Sequence, residues 1–481
     1  LEQMFFYRAL TAPAQALYVS FVPPEAGGAP LSAAMEPLVE ALAPPADVLD
    51  EAQRAPTPAA ALDLLGAAYR EDTPQTAALE AALRRQDTMA ESLAAMERAA
   101  RPAHFFARET RPLGALLGDR LTLSPTRVEQ YYRCRFSYFL QYVLRIRPRR
   151  RAELSPLESG SLVHYILEHV MRRADAEFPR LAPEELARLA GEVADQYVAE
   201  NMPAAGRRFA YLVERLKRGV TRLLAYLQAE QAQSLFHPAA FEQEIGTGEG
   251  AVPPLTLRTP DGRTVQVQGK IDRVDVMERE GRTYLRVVDY KTGNKAFNLD
   301  EVYCGLNTQM LLYLFTLRSN AAQVYKNPVA AGVLYLAGDP VLKTGSRAEA
   351  AAAPVYKVDG LVLNDELVVR GMDRDATGMF VPFAFGKDGA PRASAKLASL
   401  EKLGNIEKHL DALVVEMARG LYAGEIDAVP LRTAAHCPCD VCDYRPVCLH
   451  EDGRGETSVQ APKDVFETRA DACKAQGEGN I

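Results

Sequence analysis

The sequence has 481 residues, of which 48% are hydrophobic and 25% are charged. These are the proportions of a globular protein, so they exclude a chain that is disordered throughout, and the length suggests two to four domains. The formal net charge of −7 argues against a nucleic-acid binder that is basic over its whole surface, although it leaves room for a local basic face.

The ends and the cysteines limit where the protein works. No segment reaches the roughly 18–20 apolar residues that a membrane-spanning helix needs, and residues 1–21 lack the basic region of a secretory signal. Because structured sequence begins directly at Leu1, we expect the chain to be part of a longer protein. Seven cysteines, four of them between 437 and 448, predict a metal site in a reducing, cytoplasmic compartment rather than a disulfide framework.

The first quarter of the chain reads as helices and linkers. Residues 1–21 predict a helix followed by a strand, and 22–120 combine a Pro- and Ala-rich linker, up to residue 60, with helices over 61–107. Ser124 followed by Pro125 predicts the N-cap and first residue of a helix near the start of the next domain, which we place at 121–450.

The large domain alternates helices and strands, and a polar tail follows it over 451–481. In chain order we predict helices over 160–173 and 184–233, strands over 255–260, 264–277 and 283–293 with a turn at Glu280–Gly281, a helix over 307–318, a strand-rich section over 330–371 and a helical segment over 392–420.

The strongest chemical signal is the tripeptide Asp289-Tyr290-Lys291 at the end of a predicted strand. Residues two apart on a strand point to the same face, and a short turn would bring Asp272 of the preceding strand beside Asp289. Two neighbouring carboxylates repel each other unless a divalent cation binds them, and a lysine beside the metal can orient water or offset phosphoryl charge. Taken alone, such a tripeptide favours a solvated strand end.

Three further blocks accompany this tripeptide in a fixed order. They are GSLVHYILE around His164, GKIDRVD around Asp272 and QMLLY from Gln309 to Tyr313. Together with VVDYKTG, their order and spacing resemble the RecB-type PD-(D/E)xK nuclease family. The resemblance implies an α/β fold in which a restriction-endonuclease-like mixed sheet is flanked by helices.

The resemblance also implies roles for individual residues. The metal, Mg²⁺, would be bound by His164, Asp272, Asp289 and the main-chain carbonyl of Tyr290. Asp272, Asp289 and the catalytic lysine, Lys291, would carry the reaction. Gln309 and Tyr313 would form the helix motif that contacts DNA and supports the site.

The cysteine cluster contains the pattern C-x2-C-x5-C. From the residues alone, zinc is one interpretation, because His436 and His450 flank the pattern. An upstream cysteine followed by this pattern also resembles the iron–sulfur staple of the AddB family of bacterial helicase–nuclease subunits and of related nucleases. That resemblance implies a [4Fe–4S] cluster on four thiolates, those of Cys134, Cys439, Cys442 and Cys448.

The other cysteines have no role in this pattern. Cys437 is either a spare thiol or a ligand that the pattern assigns wrongly, and we expect Cys304 and Cys473 to be ordinary free cysteines.

The N-terminal segment FFYRALTAPAQALYVSF resembles a degraded form of the last conserved motif of superfamily 1 helicases. The arginine that would follow Thr11 is Ala12 here, and the chain has no G-x4-G-K-[ST] phosphate loop, so we expect no ATPase activity from it. The AddB resemblance is thus weak over 1–120 and strong over 121–450. It implies DNA and an AddA-like helicase–nuclease subunit as partners.

A basic stretch precedes the nuclease-like blocks. Eight arginines and one acidic residue lie between Arg127 and Arg151, interleaved with tyrosine and phenylalanine. Such a run is often a solvated face, but beside a nuclease site it favours contact with DNA phosphates. The residues we expect to make those contacts are Arg147, Arg149, Arg150 and Arg151.

The sequence therefore predicts a Mg²⁺-dependent DNA exonuclease in a helicase–nuclease complex that processes double-strand ends for recombinational repair. The resemblance implies cutting of the 5′-ended strand. One alternative is a stand-alone iron–sulfur nuclease like those of CRISPR adaptation, which the helicase-like N-terminus disfavours. The other is a catalytically silent DNA-binding scaffold, which the intact Asp272, Asp289 and Lys291 disfavour.

Overall fold

The structure is a computed structural model whose described residues fall in two compact units, 1–102 and 103–481. It describes 55–100, 113–147, 156–201, 207–291, 296–340, 356–433, 437–458 and 461–467, with short gaps inside these ranges, and a few residues between 7 and 15. Most of the helicase-like segment and of the linker therefore lies outside the described residues. Within the described part of the chain, every helix is too short or too polar to cross a bilayer.

Over 55–100, the described residues of the first unit form three helices, which confirms the helical prediction as far as residue 100. A small core of Ala61, Leu65, Leu83 and Leu93 joins them. Thr73 caps the second helix by accepting a hydrogen bond from the backbone of Thr76. The helices are α1 Pro58–Ala67, α2 Pro74–Arg84 and α3 Ala90–Ala100, with a 3₁₀ turn at Asp87–Met89.

The second unit contains two sheets and the remaining helices. Its strands are β1 Arg120–Leu123, β2 His237–Ile245, β3 Leu255–Arg258, β4 Thr264–Val267, β5 Gly269–Arg279, β6 Arg282–Lys291, β7 Pro328–Pro340, β8 Tyr356–Leu363 and β9 Leu397–Ala398. Its helices are α4 Gly114–Leu117, α5 Pro125–Arg133, α6 Arg135–Tyr138, α7 Pro156–Ala174, α8 Pro183–Asn201, α9 Arg207–Gln233, α10 Leu299–Tyr303, α11 Gln309–Asn320, α12 Glu366–Met372, α13 Leu400–Ala423 and α14 Arg445–Cys448. A π-helical turn covers Phe139–Val143, and 3₁₀ turns cover Asp175–Arg180 and Pro438–Val441.

The main sheet has six strands in the order β2-β5-β6-β7-β8-β9. It is mixed, because β6–β7 and β8–β9 are parallel pairs and the other pairs are antiparallel. Parallel neighbours need a crossover connection, which α10 and α11 provide between β6 and β7. A second sheet has the order β1-β4-β3.

The sheet core explains why the sequence of α11 is apolar on every side. All eight residues from Met310 to Leu317 are buried, since the helix packs on β6 and β7 with α13 on its other side. A helix that is apolar all round belongs in a protein interior. Its first turn is thereby held against the edge of the sheet where the candidate site lies.

Several local predictions are confirmed. Ser124 accepts a hydrogen bond from the backbone of Arg127 with Pro125 in the first turn, as the cap signal indicates. The turn between β5 and β6 uses Glu280 and Gly281, both with positive φ (52° and 71°), the conformation of a two-residue hairpin turn.

Three boundaries differ from the predictions, two of them because of pairing with distant strands and one because of a local helix cap. The strand predicted over 264–277 is two strands in different sheets, because β4 pairs with the distant β1 and the backbone of Gln268 bonds to Leu123. The helical segment predicted from 392 begins at Leu400, capped by Ser399, because 397–398 pair with β8. The strand-rich section ends in a helix, α12, which Asp365 caps.

Candidate active site and cysteine cluster

Two carboxylates meet where β5 and β6 pair at the end of the hairpin. Arg273 lies opposite Val288 in the antiparallel register, so the next residues along, Asp272 and Asp289, face each other. Asp289 is 3% exposed. The Nζ atom of Lys291 lies 2.7 Å from the Oδ2 atom of Asp289, so both side chains share one face of β6. The structure thus brings together the aspartates and the lysine that the sequence singles out.

His164 reaches this pair from helix α7. Its Nδ1 atom lies 3.5 Å from Oδ2 of Asp272, and its Nε2 atom lies 2.9 Å from the main-chain oxygen of Tyr290. The backbone N–H of Tyr290 donates to Oδ2 of Asp272 at 3.3 Å. The imidazole, the carboxylate and the carbonyl that the family resemblance assigns to a metal are therefore neighbours.

The electrostatics of the pair suit a cation. Burial, and then repulsion from Asp289, raise the pKa of Asp272 to about 7, against the opposing attraction of His164 and Lys291. Burying carboxylates is costly unless they are paired or bind a metal. A hard divalent cation with oxygen ligands would relieve both the burial and the repulsion. The residues present therefore fit Mg²⁺.

Glu242 on β2 joins this group, and the sequence motifs do not include it. One ligand atom each from Glu242, His164 and Asp272 lie within 4.8 Å of one another. Glu242 has a φ of 50°, unusual for a residue in a strand, and its Oε2 atom pairs with Nζ of Lys270 at 2.8 Å. Because the sequence patterns predict no strand just before residue 255, they could not place Glu242 opposite the GKID segment.

Gln309 and Tyr313 lie on the first turns of α11, against the start of β5. Gln309 lies one turn before Tyr313, and burial raises the pKa of the Tyr313 phenol to about 12. The hydroxyl lies 3.4 Å from the backbone nitrogen of Lys270, and a Cβ atom at Gly269 would overlap it. These contacts hold the side chain of Tyr313 against the segment of β5 that carries Asp272.

A buried ion network lies on the opposite face of the same two strands. Arg286 donates to Glu230 at 2.6 Å and to Asp275, while Arg273 binds Asp275 with Nε at 2.8 Å from Oδ1. Arg273 also donates to the Tyr290 hydroxyl at 2.7 Å. Burial by itself would raise the pKa of Asp275, but attraction to Arg273 and Arg286 outweighs it and lowers that pKa. The network thereby anchors the side chain of Tyr290, the residue whose main-chain carbonyl faces His164.

Comparison with known proteins identifies the family of this site. The family model of the PD-(D/E)XK nuclease superfamily matches residues 122–449. The chain belongs to this superfamily. The match confirms the predicted fold of the nuclease domain.

Several relatives of this chain share one name. Proteins named as the B-type subunit of an ATP-dependent helicase/deoxyribonuclease are 31% identical in Clostridium acetobutylicum (73% of this chain, 32% of that protein), 30% in Acetivibrio thermocellus (76% and 33%) and 33% in Desulforudis audaxviator (70% and 30%). The chain spans about a third of the length of these relatives. Their names confirm the predicted resemblance to the AddB family.

The four cysteines that are predicted to bind the iron–sulfur cluster converge on one cavity. Cys134 lies between α5 and α6, and the other three, Cys439, Cys442 and Cys448, lie about α14 and the 3₁₀ turn before it. All four line a cavity of about 150 Å³. Four thiolates are the ligand set of a [4Fe–4S] cluster, so these residues fit that group.

A small apolar cluster closes the two ends of the nuclease domain around this cavity. It contains Phe136, Leu140 and Tyr444, with Cys134 and Cys442 packed against it. Hydrogen bonds join the same ends, from the backbone of Leu431 to the oxygen of Arg133 at 3.0 Å and from the Tyr444 hydroxyl to Ile146 at 2.7 Å. Segments some 300 residues apart are thus neighbours before any metal is considered.

Burial favours the protonated form of three of these thiols, those of Cys134, Cys439 and Cys448. It raises the pKa of Cys134 to about 11, and it raises the pKa values of Cys439 and Cys448 as well. A structural thiol with a raised pKa is inert, whereas metal binding stabilises the thiolate. The cluster of thiols therefore matches a metal centre better than a redox pair.

The remaining predicted residues lie apart from these centres or outside the described residues. Arg147 is exposed, while Arg149, Arg150 and Arg151 are not described. Cys304 is half-buried at the end of α10. His436 and Cys473 also fall outside the described residues.

Proposed function

We propose that the chain is the nuclease portion of a subunit that hydrolyses DNA with Mg²⁺ at the site formed by β5, β6 and α7. The observation that carries this proposal is that Asp272, Asp289 and Lys291 share one end of the β5–β6 pair, with His164 2.9 Å from the Tyr290 carbonyl oxygen and 3.5 Å from Asp272. Membership of the nuclease superfamily and the names of the relatives support the same activity.

The ligands and the lysine have distinct roles in this proposal. Asp272, Asp289 and the Tyr290 carbonyl supply oxygen atoms for Mg²⁺, and His164 supplies a nitrogen. These residues would hold Mg²⁺, whose chemistry there would be to lower the pKa of a water and to polarise the scissile phosphate. Lys291 is 27% exposed and holds its ammonium group beside Asp289, where it orients the attacking water and offsets negative charge on the phosphate.

The helix motif and the basic stretch position DNA. Gln309 is half-buried in the first turn of α11, and we assign its amide a contact with DNA. We assign backbone phosphate contacts to Arg147, Arg149, Arg150 and Arg151, on the strength of charge and of the exposure of Arg147.

The cysteine cluster has a structural role. A [4Fe–4S] cluster on Cys134, Cys439, Cys442 and Cys448 would join the two ends of the nuclease domain. The helix before Cys134 reaches the active site through Glu129, whose carboxylate accepts hydrogen bonds from the backbone of Gln309 at 3.2 Å. Through Glu129, the iron–sulfur cluster would therefore also stabilise the first turn of α11.

The finer assignments rest on the relatives' names and on the sequence resemblance. We assign this chain exonuclease cutting of the 5′-ended strand, a role in the repair of double-strand breaks and an AddA-like helicase–nuclease partner. We assign ATP hydrolysis to that partner, since this chain has no phosphate loop.

The decisive experiment is degradation of end-labelled double-stranded DNA with and without Mg²⁺, comparing the chain with Asp289→Ala, each alone and with an AddA-like motor subunit. We expect Mg²⁺-dependent loss of the 5′ label from the parent and none from the variant. Equal degradation by both proteins would place the nuclease elsewhere. No cleavage by either, with DNA binding retained, would favour the scaffold alternative.

A further inference from the structure

A compact group of metal ligands lies beside the four-cysteine cavity. It consists of Cys437, Cys439 and His450, and one ligand atom from each lies within 4.8 Å of the other two. The residues are 1%, 7% and 5% exposed. Zinc bonds to sulfur and nitrogen are about 2.0–2.3 Å long, which places tetrahedral ligands roughly 3–4 Å apart. The three side chains therefore converge closely enough to share one cation.

The contacts of His450 are those of a metal-binding histidine. Its Nε2 atom lies 3.2 Å from Oε1 of Glu456. Metal-binding histidines commonly donate one ring N–H to a carboxylate, which fixes the orientation and the tautomer of the ring. Glu456 is itself held by the backbone N–H of Gly453 at 2.8 Å and by Arg432 at 2.9 Å.

The charges of this group balance when a divalent cation is present. The thiolates of Cys437 and Cys439 would neutralise the cation, and Arg432 already neutralises Glu456. Buried charges are tolerated when they are paired or bind metals. The cavity that Cys439 and His450 both line gives room for a fourth ligand such as water.

This ligand set differs from that of the iron–sulfur cluster. Cys437 does not line the cavity, whereas Cys134, Cys442 and Cys448 do. Cys439 belongs to both sets, and its one thiolate cannot fill both sites in their complete form. The position of Cys437 thus has an explanation that the four-cysteine pattern does not provide.

We propose that Cys437, Cys439 and His450 bind a single tetrahedral cation with the preferences of zinc, that Glu456 orients His450, and that this site competes with the four-cysteine cluster for Cys439. The cation site goes beyond the nuclease function, and the competition for Cys439 rests on the iron–sulfur cluster proposed above. The competition predicts two metallated forms of the same end of the domain.

The test is zinc binding by the full 481-residue chain prepared free of metal, followed with Zn²⁺ in a competition assay and with Co²⁺ by its thiolate absorption. Cys437→Ser and His450→Gln should each lower the affinity by at least about tenfold and remove that absorption. Cys442→Ser and Cys448→Ser should retain both. Cys304→Ser is the matched control, because Cys304 is a half-buried thiol outside either set.

Reconstitution of the iron–sulfur cluster with iron and sulfide should affect the variants in the opposite way. Cys442→Ser and Cys448→Ser should lose the cluster's absorption, whereas Cys437→Ser should keep it. Zinc added first should suppress cluster formation in the parent but not in Cys437→Ser. Circular dichroism would verify that each variant folds, and Glu456→Gln, which removes only the orienting charge, is a milder second variant that should weaken zinc binding by a smaller factor.

Three outcomes would overturn the inference. Unchanged zinc affinity in folded Cys437→Ser and His450→Gln would exclude the proposed ligands. Loss of zinc binding in Cys442→Ser and Cys448→Ser would move the cation into the four-cysteine cavity. Simultaneous full occupancy by zinc and by the iron–sulfur cluster would exclude the competition for Cys439.

Discussion

The active site and the cysteine cluster are both suited to metals, but they are built in different ways. The carboxylates of Asp272 and Asp289 are placed by the backbone register of adjacent strands, and His164 and Lys291 already contact them. A buried ion network that includes Arg273 lies on the opposite face of the same strands and supports them. Contacts within the protein therefore position the residues of this site, and a metal would add chemistry to it.

The cysteine cluster has no such frame. Its four thiols come from segments some 300 residues apart, joined by a small apolar cluster and a few hydrogen bonds rather than by a sheet. Burial raises the pKa of Cys134 to about 11, so this thiol resists forming a thiolate unless a metal binds. Removing the metal should leave the active-site geometry intact in the first region and loosen the fold in the second. Substitutions in each region can test this contrast.

The largest effect should come from the ion network under the active site. Asp275→Asn would leave Arg273 and Arg286 buried beside a neutral amide, which typically costs about 3–5 kcal/mol of folding free energy. Urea unfolding of the chain would measure this loss. Glu278→Gln, an exposed position on the same strand, is the control and should change stability little. Equal stability of the two variants would show that the network does not support the site.

Lys291→Ala should separate chemistry from architecture. Losing its charge should reduce Mg²⁺-dependent cleavage by roughly 10²–10³-fold, while DNA binding and metal content remain, because the carboxylates stay in register. Cleavage rates and DNA-binding curves would be compared with Lys387→Ala in an exposed loop. A parallel loss of binding and cleavage would contradict the role of the lysine.

Cys134→Ser should act on stability first. Without the upstream ligand the iron–sulfur cluster is lost, and by analogy with a crosslink over a long loop the domain should lose about 2–4 kcal/mol. The measurement is thermal or urea unfolding beside Cys304→Ser. Cleavage should decline only as the first turn of α11, which Glu129 caps, becomes disordered. An unchanged unfolding transition would mean that the apolar cluster alone holds the ends together.

Glu242→Gln should weaken the metal site by about tenfold, less than the removal of an aspartate. The carboxylate lies within 4.8 Å of ligand atoms on His164 and Asp272, so it adds negative charge where the cation would bind. Mn²⁺ binding followed by electron paramagnetic resonance would measure this without relying on activity. Glu244→Gln, exposed on the same strand, is the matched control. Identical affinities would reduce Glu242 to a partner of Lys270.

The contrast between the two regions also separates what sequence can predict from what it cannot. The cap at Ser124, the turn at Glu280–Gly281 and the pairing of Asp272 with Asp289 depend on residues close in sequence, and the structure has all three. The break at Gln268 and the strand β9 depend on pairing with distant strands, which local patterns do not encode.

Glu242 illustrates the same limit at the active site. Its strand, HPAAFEQEI, lacks a clean alternation of apolar and polar residues, and its φ of 50° is a property that only tertiary contacts can impose. The grouping of Cys437 with His450 likewise depends on the fold of a loop, whereas the spacing of Cys439, Cys442 and Cys448 is visible in the sequence. Motifs therefore identified the residues of known chemistry, and the fold added their neighbours.

Asp411 tests whether a raised pKa by itself marks a metal site. Burial, and then the charge of Glu407, raise its pKa to about 6 against the attraction of Arg318, yet among the described residues no group of three potential metal ligands includes it. A carboxyl group whose pKa is raised on folding stabilises the protein below its ordinary value of 3.8, and this contribution is lost as the pH rises through about 6.

Asp411→Asn, which does not titrate, should therefore be more stable than the parent by about 1 kcal/mol at pH 7, with the advantage shrinking towards pH 4. Urea unfolding at several pH values would measure this, with the exposed Glu401→Gln of the same helix as control. Asp272→Asn, in contrast, should lose metal binding at every pH, because that carboxylate has His164 and a carbonyl beside it. If Asp411→Asn were less stable than the parent at pH 7, its carboxylate would be performing a structural role that its burial does not explain.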